Sequence, residues 1–344
     1  MAEHRKKRRS RAAEKEQTDR QGTRFHYSFL KILSGSDLSR RRLPYMEACS
    51  ERKGPTLWLT ACCHGDEVGG IVVVQEVFKW LKRIPLLRGR VCAFPLMNPL
   101  GFEAAARHVP FSKEDLNRCF PGSAEGSLAQ RIAARIFQNI VETKPDVVLD
   151  LHNDWIRSIP YAVLDPLPAK ASKDLRQRLQ EIAEATGFPV VHEPQPLQGS
   201  LSHSLLETGI PAVTLELSES FVVNENIVQQ GKRAIENILV MLRMIETSNE
   251  PFRYPLPETI SGERLRYSHL PLSSTSGVLR FLIRPGTFVR AGQPLAKVYN
   301  AFGRLQETLR ARNDGIVLGV TDSSVAFPGA PVFAMGEIES RRVG

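Results

Sequence analysis

No stretch of this chain approaches the ~18 consecutive uncharged apolar residues that a membrane-spanning helix needs. A membrane is therefore not an expected partner. Cysteine is sparse and poorly placed for cross-linking. The five residues Cys49, Cys62, Cys63, Cys92 and Cys119 are an odd number with no C-x-x-C spacing. Three lie in apolar, strand-like runs and read as small buried hydrophobes in a reducing, cytoplasmic compartment, which argues against a disulfide framework. Apolar residues are almost missing from the first 22 positions, which carry the run Arg5-Lys6-Lys7-Arg8-Arg9. Such a segment buries too little surface to offset chain entropy, so residues 1–24 are expected to form a disordered basic tail. No apolar h-region follows, so a secretory signal is not expected. The tail has the charge to meet RNA, anionic lipid or a sorting receptor, and a merely solvated role is the simpler expectation. Of the formal net charge of +9, residues 1–20 carry +4 and the rest of the chain +5, which argues against nucleic acid as a partner.

What remains is a globular composition, 42% apolar and 24% charged over 344 residues, enough for one large domain and a small one. Buried-strand patterns recur at 56–63, 90–97, 146–152, 160–164 and 212–218. Most are continuous apolar runs, the mark of a sheet covered on both faces. Helical spacing fills the intervals at 67–83, 127–142, 171–186 and 226–246, with Ser127 placed to cap the second. The alternation predicts an α/β fold, a mixed and mostly parallel sheet flanked by helices, over residues 25–250. Proline-rich residues 251–271 read as a linker. Residues 272–340 show short strand-like runs, turn signals such as Asn313-Asp314-Gly315 and no convincing helix, which predicts a small all-β domain.

Polar residues capable of chemistry stand at the ends of the buried runs. His64-Gly65-Asp66-Glu67 follows Leu57 to Cys63, and Asp150-Leu151-His152-Asn153 ends the run Val147 to Leu149. His and Glu three apart, where a strand turns into a helix, can aim two ligand atoms at one metal. With His152 they make a two-His, one-Glu set that leaves a fourth position open for water, the pattern of a hydrolase. Taken singly, each half also reads as an ordinary polar residue at a strand or helix end. Asp150 shares a strand face with His152 and is placed to support it from behind. Asp115-Leu116-Asn117-Arg118 lies in a polar loop. A guanidinium there suits a carboxylate, although on composition alone an ordinary surface loop with a salt bridge explains it better. Glu216 lies inside the apolar run 212–218. Burial would raise its pKa, as a general base requires; a strand-end position or an Arg partner is the competing reading.

Together these pieces resemble the succinylglutamate desuccinylase/aspartoacylase family, relatives of the zinc carboxypeptidases. They are His64-Gly65-Asp66-Glu67, Asn98-Pro99, Asp115-Leu116-Asn117-Arg118 with Phe120-Pro121-Gly122, Asp150-Leu151-His152-Asn153 and Glu216, in the family's order over about residues 55–245. The resemblance implies one Zn²⁺ per chain on His64, Glu67 and His152, with Glu216 as the base. It also implies that Arg107 polarises the scissile carbonyl, that Asn117 and Arg118 grip the substrate carboxylate and that Asp115 orients a ligand imidazole. The implied activity is deacylation of a small N-acyl substrate such as an N-acyl amino acid. The all-β segment resembles a biotinyl/lipoyl-like barrel sandwich. Residues 298–313 contain no Lys, so it is expected to shape the active-site mouth or make homo-oligomer contacts instead of carrying a cofactor. Two alternatives compete: a zinc carboxypeptidase acting on peptides, and a catalytically inactive binding protein that works through its basic tail.

Overall fold

The computed structural model describes residues 15–18, 22–34, 40–246 and 250–339. β1 (Lys15–Thr18), β2 (Arg24–Ser34) and β3 (Arg40–Cys49) form an antiparallel ribbon at one edge of a large sheet. β1 falls inside the span expected to be a disordered tail. Its backbone pairs with β2, and pairing at a sheet edge asks for main-chain groups, not apolar side chains. The Arg5–Arg9 run lies outside the described residues.

The central sheet is built by β4 (Thr56–Ala61), α1 (Gly69–Leu81), β5 (Arg90–Phe94), α2 (Pro99–Glu103), α3 (Leu128–Glu142) and β6 (Val147–His152). It continues through β7 (Arg157–Ser158), β8 (Tyr161–Leu164), α4 (Lys173–Ala185), β9 (Val190–His192), α5 (Leu201–Glu207), β10 (Ala212–Glu216) and α6 (Glu225–Met241). Strands β5, β4, β6 and β10 are parallel neighbours in that order, and β8 pairs with β10 antiparallel. Every residue of β4 and β6 is buried. One face packs Leu57, Leu59 and Leu151 against α1, α4 and α6, and the other packs Trp58 and Val148 against α3 and α5. This is the α/β sheet covered on both faces that the uninterrupted apolar runs predict. After β4 the chain crosses to β5 on one side, and after β6 it crosses toward β8 and β10 on the other. The carboxyl ends of β4 and β6 therefore flank a switch point, where such sheets open a crevice for ligands.

β11 (Leu265–Ser268) lies inside the span read as linker. It pairs parallel to β9 and antiparallel to β18 (Phe333–Ile338). Between them come β12 (Gly277–Phe281), β13 (Phe288–Val289), β14 (Pro294–Tyr299), β15 (Leu305–Arg310), β16 (Gly315–Val320) and β17 (Val325–Ala326). Strands β15, β14, β12 and β17 form a four-stranded sheet, while β18, β16 and β13 extend the main sheet through β11. β7 also pairs with β16, so the C-terminal strands reach the loop that follows β6. The prolines of 251–257 predict a break, but the strand after them is too short to stand out by periodicity.

Ser127 accepts a hydrogen bond from the Gln130 N–H, and the Gln130 side chain accepts one from the Ser127 N–H. Ser127→Ala removes this reciprocal cap at the start of α3 and should lower stability by about 1 kcal/mol. The expected readout is a lower denaturant midpoint with an unchanged slope.

Candidate active site

The turn after β4 is set by backbone packing. Cys62 has φ of 53°, and the Gly65 N–H bonds to the Ala106 carbonyl at 3.0 Å. A Cβ on Gly65 would sit 1.9 Å from the Gly101 carbonyl carbon, so no larger residue fits without moving the chain. Gly101 is held there because Asn98 caps α2, its Oδ1 accepting from the Gly101 N–H at 2.9 Å, with Pro99 in the first turn. The Asn98-Pro99 pair thus shapes the site through the backbone. With the turn closed, His64 and Glu67 face the end of β6.

The Glu67 carboxylate lies between two imidazoles. Its Oε1 is 2.6 Å from His64 Nδ1 and its Oε2 is 2.8 Å from His152 Nδ1. Behind each ring stands another carboxylate: Asp115 Oδ1 is 3.0 Å from His64 Nε2, and Asp150 Oδ2 is 3.1 Å from His152 Nε2. Asp150 is itself held by the Thr60 hydroxyl at 2.6 Å, and Asp115 by the Asn117 N–H at 2.8 Å. His64, Glu67, Asp150 and His152 are all buried. Asp115 and Asp150 thus each lie against the outer nitrogen of one imidazole.

This donor set fits a divalent cation. Each Nε2–H that donates to an aspartate leaves its ring's Nδ1 lone pair aimed at a glutamate oxygen. Acceptor then faces acceptor twice, and only a proton or a cation between them relieves the clash. Ligand atoms of His64, Glu67 and His152 all lie within 4.8 Å of one another. Two imidazole nitrogens and one carboxylate suit zinc, and the carboxylates behind the rings fix orientation as metal-bound histidines require. The electrostatics agree. Burial opposes protonation of the imidazoles, yet the flanking carboxylates outweigh it and hold His64 and His152 above the ordinary imidazole value. Burial would raise Glu67, but His64 and His152 pull it well below the usual carboxylate range.

Arg107 joins this cluster. Its Nε and Nη2 donate to Asp115 Oδ2 at 3.2 and 3.0 Å, and its Nη1 is 3.7 Å from Glu67 Oε1. Its side chain remains 44% exposed, so the guanidinium is accessible at the rim. Arg118 is exposed beside it, donating to the Asn117 carbonyl at 2.8 Å. Asn117 is buried and its Oδ1 accepts from the Leu201 N–H, which fastens the start of α5. Half of that amide thus serves the fold, while its NH₂ group makes no hydrogen bond among the described residues.

Glu216 ends β10 as the register partner of His152 on one side and Tyr161 on the other. Register partners share a face, so His152, Glu216 and Tyr161 stand in a row over the carboxyl end of the sheet. Glu216 Oε2 is buried without a hydrogen-bond partner, and no Arg pairs with it, among the described residues. Burial, then the nearby Asp154 carboxyl, push Glu216 well above the usual carboxylate range. Asp154 was not singled out from sequence, although it follows the His152-Asn153 pair directly. Its Oδ2 accepts from the Tyr161 hydroxyl and, at 3.4 Å, from the Tyr267 hydroxyl. Burial lifts it to about 7. Tyr267 comes from β11, far away in sequence and within the expected linker, so no local signal marks it. Asn153 donates its N–H to Glu67 Oε2 at 3.1 Å, and its side-chain amide bonds the Ser218 and Glu219 carbonyls at 2.9 Å, tying the loop after β10 to the cluster.

Residues 53–242 match the succinylglutamate desuccinylase/aspartoacylase catalytic domain. The chain belongs to that family. It is 30% identical over 282 residues to the N-alpha-acetyl-L-2,4-diaminobutyric acid deacetylase of Halomonas elongata, covering 77% of each chain. The product-bound ectoine utilization protein EutE (DoeB) from Ruegeria pomeroyi shares the fold with a TM-score of 0.76 at 23% identity, covering 95% of this chain and all of that one. A metallo-carboxypeptidase from Burkholderia cenocepacia superposes over 63% of this chain and 65% of its own length, with a TM-score of 0.54 at 16% identity. The fold is therefore the carboxypeptidase-like α/β sheet, here carrying an added antiparallel sheet. Family membership supports an amidohydrolase.

Protons and a divalent ion compete for the same imidazole nitrogens. In chelator-treated protein, the contribution of the raised His64 and His152 is complete below pH 6.5 and drains away as pH rises through their folded values. Added zinc should therefore stabilise the protein more at pH 8 than at pH 6. At a hundredfold excess over its dissociation constant the gain is about 2.7 kcal/mol. Thermal unfolding with and without zinc at the two pH values checks this, and His152→Ala should abolish the zinc response.

Proposed function

We propose that the chain is a zinc-dependent deacylase that hydrolyses the amide of an N-acyl amino acid. The observation that carries this reading is Glu216: a buried carboxylate oxygen with no partner, set in the sheet directly beside His152 of the His–Glu–His cluster. A buried polar atom left unpaired is costly, and it is accounted for if water and substrate are its partners. His64 Nδ1, His152 Nδ1 and Glu67 would hold the ion. Such an ion supplies Lewis acidity, polarising the amide carbonyl and lowering the pKa of the attacking water to about 7.

The remaining steps belong to the chain's own groups. Glu216, with its raised pKa, takes a proton from the attacking water and later passes it to the departing amine, leaving a free carboxylic acid and a free amine. Arg107 lies at the rim beside Glu67, where a guanidinium can steady the oxyanion that develops as the carbonyl is attacked. Asp115 keeps it there and at the same time orients His64. Arg118 and the free NH₂ of Asn117 are the groups for a substrate carboxylate. The deacetylase from Halomonas elongata supports an acetylated amino acid as the substrate class, and its name points to one with a second amine.

Glu216→Ala should retain the metal and lose turnover by about 10²–10⁴, the usual scale of acid–base assistance. Metal content and kcat on a panel of N-acyl amino acids test this together. Arg118→Ala should mainly raise KM for carboxylate-bearing substrates, and hydrolysis of peptides in preference to N-acyl amino acids would point to a peptidase instead.

A further inference from the structure

The proposed machinery does not use Asp154, and its surroundings suit a ligand. Asp154 lies two residues past His152, and its Oδ2 is anchored by hydroxyls from two strands that are distant in sequence, Tyr161 on β8 and Tyr267 on β11. Among the described residues, its Oδ1 accepts no hydrogen bond and no Lys, Arg or His forms an ion pair with it. Tyr161 stands next to Glu216 in the row that begins at His152, so Asp154 sits across Glu216 from the metal-binding cluster.

The two anchoring hydroxyls belong to a chain of packed aromatic rings. The Tyr161 and Tyr267 rings stack with centroids 6.3 Å apart at 26°, His269 meets Tyr267 edge-on at 4.9 Å, and Trp155 lies 6.5 Å from His269. A carboxylate with one oxygen left open is a group that recognises an ammonium, through a charge-assisted hydrogen bond. The charges at the site point the same way. Among the described residues no positive group pairs with Asp154, whereas Arg107 and the two imidazoles are engaged by Asp115, Glu67 and Asp150.

We propose that Asp154, held by Tyr161 and Tyr267, is a specificity-determining residue that receives a free ammonium group on the substrate. The preferred substrate is then an N-acyl amino acid with a second, unacylated amine. The inference rests on the deacylase reading above and assigns the part of the site that selects among its substrates. In this arrangement the C-terminal strands contribute to specificity, because Tyr267 comes from β11.

The test compares Nα-acetyl-2,4-diaminobutyrate with Nα-acetylnorvaline, which carries a methyl group where the first has ammonium. Wild-type kcat/KM should favour the diamino compound by on the order of tenfold to a hundredfold, the range of a hydrogen bond to a charged group. Asp154→Asn should bring that ratio close to one by raising KM for the diamino compound, with zinc content unchanged. Equal wild-type turnover of the two compounds would overturn the inference while leaving the deacylase reading intact. A wild-type preference that survives in Asp154→Asn would also overturn it, since the selectivity would then lie elsewhere. If the variant does not fold, calorimetry on the wild-type protein decides: 2,4-diaminobutyrate should bind at least tenfold more tightly than norvaline, and equal binding refutes the assignment. Failure to hydrolyse any N-acyl amino acid would instead defeat the deacylase reading and this inference with it.

Discussion

The site depends on one carboxylate held between two imidazole nitrogens. Glu67 faces the Nδ1 atoms of His64 and His152 at 2.6 and 2.8 Å, and aspartates behind both rings fix which nitrogen each ring turns inward. Buried charges are tolerated only when paired, and removing one partner leaves an uncompensated charge that is strongly destabilising. The five groups are therefore interdependent, and the local backbone follows from that need. Gly65 lies against Gly101 because the turn must bring His64 and Glu67 to the same side. Asn153 lends its N–H to Glu67, which keeps the end of β6 in register with the turn after β4. The two strands flank the point where the sheet's connections diverge, so the same topology that covers both faces of the sheet leaves this edge open.

A second consequence concerns the C-terminal strands. They extend the main sheet through β11 and reach the loop after β6 twice, by the pairing of β7 with β16 and by the Tyr267 hydroxyl on Asp154. The Ile156 N–H also bonds Asp322 at 2.5 Å. The loop following His152 is thus gripped from the C-terminal sheet and from β8. Such anchoring is what a loop needs if it is to position groups beside a site.

The central sheet was legible because fully buried strands are written as unbroken apolar runs, and the polar residues that interrupt or end them had to be exceptional. His64, His152 and Glu216 stand out against such a background for that reason. Asp115 was legible through its motif, and the structure adds why the motif has that form: Asp115 caps the turn that carries Asn117 while it orients His64. The β2–β3 ribbon was missed because its strands are half-exposed at an edge, with neither clean alternation nor continuous apolarity. β11 was missed because four residues after a run of prolines carry no period. Tyr267 was missed with it, since a site residue delivered by tertiary pairing leaves no mark in the sequence around it. The segment 1–14 offers no test of the disordered-tail expectation, whereas β1 shows that a sequence poor in apolar residues can still pair by its backbone.

Two glutamates of identical chemistry have been driven in opposite directions within this small volume. Glu67 is buried, but two imidazoles face its oxygens, and their pull overcomes desolvation to keep it ionised. Glu216 is buried as well, but one of its oxygens has no donor and its neighbour Asp154 is another acid, so desolvation and repulsion act together to favour its protonated form. A ligand for a cation must hold its charge, and a group that accepts and returns a proton must not be too acid. The proposed division of labour rests on which groups surround each carboxylate, the way one fold can run acid and base chemistry with the same side chain. The sheet register sets those surroundings: it places Glu216 between His152 and Tyr161, beside the His–Glu–His cluster, and leaves it without a basic partner among the described residues.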